Sequence, residues 1–202
     1  MRRLFIALAV LSLAACRQAA VNPDPNHTHA DFAVWIDGQQ IDFDRPEYMS
    51  DHIDDPDGAE PEGPHDDAGH KHPYLHLHDS NGAVVHRHKP GLTLGEFFDS
   101  IGMEMTATCF AVDPRMPVCT TDDKRWRMFV NGEEWPIDPT YAFSDLDAIL
   151  LTYGSDDDAI AKQLDALTHD ACLYSRTCPE RGEPPAEGCV ADPAVPCVAP
   201  EE

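Results

Sequence analysis

Two His-x-His pairs, His76-Leu77-His78 and His86-Arg87-His88, stand on either side of a turn-forming stretch, Asp79-Ser80-Asn81-Gly82. Neutral imidazole is a borderline ligand suited to Zn²⁺, Cu²⁺ and Ni²⁺, so this spacing points to metal coordination. In a strand, residues two apart face the same way, and each pair therefore places both rings on one side. The turn decides whether the two pairs share that side. A three-residue loop, Ser80-Asn81-Gly82 with Gly82 left-handed, sets His76 opposite His86 and all the rings on one face. A two-residue Asn81-Gly82 turn shifts the register by one and separates them. The shared face is the expected arrangement. By the usual affinity order it binds Cu²⁺ most tightly, while Zn²⁺ is the more available structural metal.

A third His-x-His precedes these. In His27-Thr28-His29-Ala30-Asp31, strand alternation puts His27, His29 and Asp31 on one face. They can form an open three-ligand site or join the hairpin cluster across a sheet. His52, His65, His70 and His72 sit in an acidic stretch that can gather cations weakly or remain a solvated loop. Met103 and Met105 can offer thioethers to Cu(I), but their place beside a helix end reads as core.

The chain of 202 residues has 7 cysteines. Beyond Cys16, an even set remains: Cys109, Cys119, Cys172, Cys178, Cys189 and Cys197. In an exported chain this reads as disulfides, with the local pairs Cys109–Cys119, Cys172–Cys178 and Cys189–Cys197 plausible among many connectivities. The Cys172 to Cys178 spacing is not the C-x-x-C of thioredoxin-type enzymes, so staples are favoured over redox catalysis. No Ser/His/Asp order, phosphate-binding glycine loop or paired-acid motif stands out.

The elements that must position these side chains follow from patterning. Phe32, Val34 and Ile36 alternate before Asp37-Gly38, and Ile41 and Phe43 alternate after it, which predicts a hairpin. Residues 44–73 form a long acidic loop without apolar periodicity. Thr93-Leu94-Gly95-Glu96 is a capping box, with Phe97, Phe98 and Ile101 at helical spacing and Gly102 as the stop. A strand is expected over 104–112, and a second hairpin around Asn131-Gly132. An apolar run from Leu146 to Tyr153 ends at Gly154. A helix capped by Ser155 to Asp158 then buries Ile160, Leu164 and Leu167. The tail from Cys172 is rich in Pro and Cys, and disulfides rather than a core are expected to hold it. The order suggests an α+β fold like the β-grasp, or ubiquitin-like, arrangement. It predicts a small sheet with one crossing helix, an N-terminal hairpin and a disulfide-stapled C-terminal tail.

With 14 basic and 37 acidic residues, the formal charge is −23. Such a chain repels nucleic acid and attracts cations. Scattered acids also suit a soluble surface, which leaves the 11 histidines unexplained.

The start of the chain resembles a bacterial lipoprotein signal. Arg2 and Arg3 precede a short apolar run, and Leu13-Ala14-Ala15-Cys16 is similar to a lipobox. The resemblance implies cleavage before Cys16, a lipid on its sulfur, and an anchored protein on the periplasmic or extracellular face of the envelope. The organisation expected is a signal peptide over 1–15 and a tether over 16–29. A metal-binding domain over 30–154 contains the acidic loop of 44–73, and a helix with a Cys/Pro-rich tail covers 155–202.

Several motifs together resemble a family of exported prokaryotic proteins often labelled "protein-disulfide isomerase". They are His27-x-His29-Ala30-Asp31-Phe32, His76-Leu77-His78-Asp79, Val85-His86-x-His88, Gly91-x-Thr93-Leu94-Gly95-Glu96-Phe97 and Cys178-Pro179-Glu180-Arg181-Gly182-x-Pro184-Pro185. The label implies thiol chemistry, carried by Cys172 and Cys178 or by Cys109 and Cys119. The pattern's most distinctive chemistry is its histidines. The favoured expectation is therefore an envelope lipoprotein that captures, buffers or delivers copper or zinc through His76, His78, His86 and His88, joined by His27, His29 or Asp31. The alternatives are an envelope thiol–disulfide oxidoreductase and a structural module held by zinc.

Overall fold

A computed structural model describes residues 20–50, 72–184 and 194. Residues 1–19 with Cys16, and His52, His65, His70, Cys189 and Cys197, lie outside these residues, as does most of the expected acidic loop.

The fold is mixed α+β. Among the described residues, a seven-stranded, mostly antiparallel sheet is joined by a separate three-stranded one and three helices. Strand β1 (Thr28–Ile36) turns through Asp37 and Gly38, both left-handed at φ 50° and 79°, into the short β2 (Gln39–Gln40). The positive φ at both turn residues is what a two-residue type I′ hairpin demands. Strand β3 (Leu75–His76) pairs antiparallel with β4 (Val84–Arg87), and β4 pairs antiparallel with β1.

Helix α1 (Leu94–Ser100) starts at the expected capping box and ends before the left-handed Gly102. Gly95 lets it approach the 139 backbone closely, because a Cβ there would lie 2.8 Å from the Pro139 carbonyl. The expected strand over 104–112 is in fact broken. Thr106 turns the chain between β5 (Glu104–Met105) and β6 (Cys109–Ala111), its hydroxyl accepting from the Cys109 amide at 2.9 Å. Strand β7 (Val118–Cys119) completes the small sheet. Strand β8 (Trp126–Val130) turns at Asn131-Gly132 into β9 (Glu133–Trp135), as expected. Strand β10 (Ala148–Tyr153) runs parallel to β1 and antiparallel to β8, giving the order β3-β4-β1-β10-β8-β9.

The sheet has two unlike faces. On one, Phe32, Val34, Val85, Met128 and Ile149 meet Leu94, Phe97 and Phe98 of α1 in the main core. Met103 and Met105 are buried in this core, which accounts for them as packing residues. The opposite face is covered by α2 (Asp157–Asp165) and α3 (Ala171–Tyr174). Ile160 and Leu167 pack on Ala33, Phe129 and Leu150, while Ala171 and Tyr174 pack on Val84. The architecture therefore exceeds a small sheet crossed by a single helix. Part of the tail is also true core, since Tyr174, Ser175 and Cys178 are buried. The disulfides Cys109–Cys119 and Cys172–Cys178 are both formed.

Candidate metal centre

Alternation along three neighbouring strands builds the centre. Register sets His29 against His86, and His86 against His76, so three histidines form one row across β1, β4 and β3. His27, His88 and His78 flank that row on the same face. His29, His76, His78, His86 and His88 are buried and His27 is half-buried. Thr28 and His29, placed by sequence in a tether, are the first residues of β1.

The hairpin pairs share a face, with His76 opposite His86 as expected. The loop achieves this differently. Asp79 and Ser80 are the left-handed residues, at φ 59° and 55°, and Gly82 is not. Gly82 is required instead by proximity: a Cβ there would sit 2.2 Å from the Phe43 carbonyl carbon. Its amide donates to Asp44 Oδ1 at 2.7 Å.

The six rings form a closed circuit. Successive centroids are 4.3 Å (His27–His29), 4.7 Å (His29–His86), 3.7 Å (His86–His78), 5.6 Å (His78–His76), 4.9 Å (His76–His88) and 3.9 Å (His88–His27). Within it, His27, His29 and His86 bring ligand nitrogens within 4.8 Å of one another, a group that can hold a metal ion. Imidazole binds zinc at about 2.0–2.1 Å, so small ring rotations suffice to close on an ion.

Hydrogen bonds fix which nitrogen three of the rings present. The Asp79 carboxylate can only accept, so the 2.7 Å contact puts the proton on His78 Nδ1. His78 Nε2 is then an acceptor and takes the Nδ1 proton of His86 at 3.0 Å. His86 therefore presents the Nε2 lone pair. A second chain does the same for His29. Ser175 Oγ donates to Asp145 Oδ1 at 2.6 Å and accepts from His29 Nδ1 at 2.7 Å. The His29 amide is bound to the same carboxylate oxygen at 3.0 Å. Two carboxylates, each acting through one intermediary, orient two rings of the candidate group, the outer arrangement common around metal-binding histidines. Burial, then the neighbouring rings of His78, His29, His76 and His27, holds the His86 pKa well below the ordinary histidine value. The ring is thus kept in the neutral form that ligates.

The predicted residues divide accordingly. His27, His29 and His86 converge. His78 is engaged through both nitrogens and stands behind His86. His76 and His88 stack on each other at 24° beside the group. Asp31 shares the strand face but is turned to α3. It accepts from Thr168 Oγ1 at 2.8 Å, the Asp170 amide at 2.6 Å and the Ala171 amide at 3.3 Å. Burial nevertheless raises its pKa, outweighing those donors. His72 lies at the edge, its Nδ1 accepting from the Tyr74 amide at 3.1 Å.

Sequence reasoning missed Tyr174, Ser175 and Asp145. The Tyr174 ring meets His86 edge-on at 4.6 Å and His29 at 5.6 Å, capping the layer. No spacing rule marks residues that arrive from a distant loop. A separate cleft of about 470 Å³ lies between Thr120–Arg125 and Gly154–Asp156. Its cations Lys124 and Arg127 pair locally with Asp37 and Asp157, each at 2.7 Å. Compared with known protein families, characterised proteins and solved structures, the chain matches none.

Proposed function

We propose that this protein binds a transition metal, copper or zinc, at His27, His29 and His86, and serves to capture, buffer or hand on that ion in the cell envelope. The observation that carries the reading is the pair of carboxylate-anchored chains that aim His29 and His86 into a group they share with His27. The donor set is entirely imidazole, which suits Cu²⁺ and Zn²⁺ and does not select Cu(I). Three protein ligands leave a position for exchange, as a carrier needs. The lipobox-like start supports anchoring through Cys16, and two disulfides fit an oxidising compartment. Among the described residues no helix is long and apolar enough to cross a membrane. The strand order, with β1 parallel to β10 and α1 crossing one face, supports a β-grasp scaffold extended by α2 and α3.

The main core lies on the sheet face away from the histidines. Removing the metal should therefore leave a folded protein, which separates this reading from a zinc that only holds the fold. The test is elemental analysis of the purified chain after loading with copper and zinc, beside a His29→Ala/His86→Ala variant. Near-stoichiometric metal that disappears in the variant supports the site. A wild-type protein without metal after loading overturns it.

A further inference from the structure

The segment that caps the histidine layer is itself a disulfide loop. Cys172 and Cys178 are bonded, and Tyr174 and Ser175 lie between them. Tyr174 covers His86 and His29, and Ser175 is the intermediary that fixes the His29 proton. Asp31 holds the start of this segment through the Asp170 and Ala171 amides, and Asn81 Nδ2 donates to the Tyr174 hydroxyl at 3.2 Å, while the disulfide holds its end. Helix α3 is four residues long, too short to be stable alone. Arg176 is held left-handed at φ 55°, and the chain reverses there so that the Thr177 amide donates to the Cys172 carbonyl at 2.9 Å. The disulfide closes that reversal.

Resting on the metal reading above, we propose that the Cys172–Cys178 bond is a redox clamp on the histidine site, and that a dithiol reductant which opens it releases the metal. Cys172 is half-buried and Cys178 is buried, so the accessible sulfur is that of Cys172. A reductant thiolate attacks Cys172 Sγ, forming a mixed disulfide, and Cys178 leaves as a thiolate that takes a proton. The reductant's second thiolate attacks its own sulfur in the mixed disulfide and expels Cys172. The reductant is oxidised to a disulfide, and the cysteine pair gains two electrons and two protons. Arg181 Nη1 is 3.6 Å from Cys172 Sγ and stabilises that thiolate when the second exchange expels it. Arg181 also donates to the His169 carbonyl and pairs with Asp170 at 2.5 Å, so the group beside the sulfur is tied to the start of α3. With the bond open, Ser175 is free to leave His29, and the ring loses the partner that sets its tautomer.

The test uses the full chain in a Cys16→Ser background, with Zn²⁺ as a redox-silent probe. Zinc affinity is measured by chelator competition for the parent, for Cys172→Ser/Cys178→Ser, and for Cys109→Ser/Cys119→Ser, which opens the staple between β6 and β7. The expected result is a fall of about 10- to 100-fold for the first pair, the scale of losing an outer-shell partner, and no change for the second. Should the first variant misfold, the parent is titrated with dithiothreitol. Released zinc is then compared with alkylation of each cysteine pair, and release must track Cys172 and Cys178. Equal affinity in parent and first variant, or release that ignores this pair, overturns the clamp alone. A parent that binds no zinc or copper overturns the metal reading, and the clamp with it.

Discussion

The two faces of the central sheet are built from the same strands and do opposite work. Toward α1 the face is a dense aromatic and aliphatic core, with Phe98 in ring contact with Phe32, Phe43, Phe97 and Phe110. Toward α3 it is a layer of imidazoles whose order depends on hydrogen bonds to Asp79 and Asp145. Consecutive residues of β1 serve the two in alternation: Ala30 and Phe32 pack in the core, His29 and Asp31 in the polar layer. A core of this kind tolerates no water and needs no partner. Buried rings of this kind need every proton placed. The same strand thus carries the main core on one side and the histidine layer on the other.

That division can be broken experimentally. The largest effect should come from Phe98→Ala, which removes a fully buried ring and should cost about 3–5 kcal/mol in denaturant unfolding, with or without metal. A loss that vanishes when metal is present would show that the faces are not separable. Next is Ser175→Ala, which breaks the chain from Asp145 to His29. It should lower zinc affinity by about 10- to 100-fold, while the metal-free fold loses about 1–3 kcal/mol for the buried groups left unsatisfied. Unchanged affinity in a folded variant would remove Ser175 from the site. The smallest effect concerns the polar end of the same face. Arg127 joins Glu134 at 2.6 Å and Asp157 at 2.7 Å, tying β8 to β9 and to the start of α2. The hydrogen bonds from Arg127 lower the Glu134 pKa below its ordinary 4.5. A depressed carboxylate pKa stabilises the fold above the unfolded value, and that contribution is lost as pH falls through the folded value. Glu134→Gln should therefore flatten the decline in stability below about pH 4.5. At neutral pH it should move the thermal midpoint only slightly, since the Glu134 side of the pair is exposed to solvent. An acid-unfolding curve superimposed on the parent's would show the pair to be inert.

The apolar face was legible because its rules are local. Alternation in Phe32, Val34 and Ile36 and the capping box at Thr93 and Glu96 each specify their own neighbourhood. The histidine layer was legible in part, since the His-x-His spacing put rings on one face and a register argument set His76 against His86. Which rings converge was not legible. His27 and His29 join His86 because β1 lies beside β4, a pairing across a long stretch of chain that no periodicity encodes. Asp31 shows the same limit from the other side. Spacing gives its face, but only the arrival of α3 decides that its carboxylate meets Thr168, Asp170 and Ala171 instead of the rings. The break at Thr106 was hidden because residues on both sides of it have strand character, and the hydroxyl contact that bends the chain is made only once β6 is in place.

The position of β1 carries a mechanical consequence. The chain enters this strand directly from residue 27, and β4 grips it on one side over 28–31 while β10 grips it on the other over 31–36. A pull directed along β1 runs across the direction of its ladder bonds. The ladders are then loaded in shear, many bonds sharing the force at once, instead of being unzipped one by one. Tension along β1 is therefore shared by the ladders to β4 and β10. It is met first at His27 and His29, so an ion bridging them to His86 would stiffen the point where the load enters.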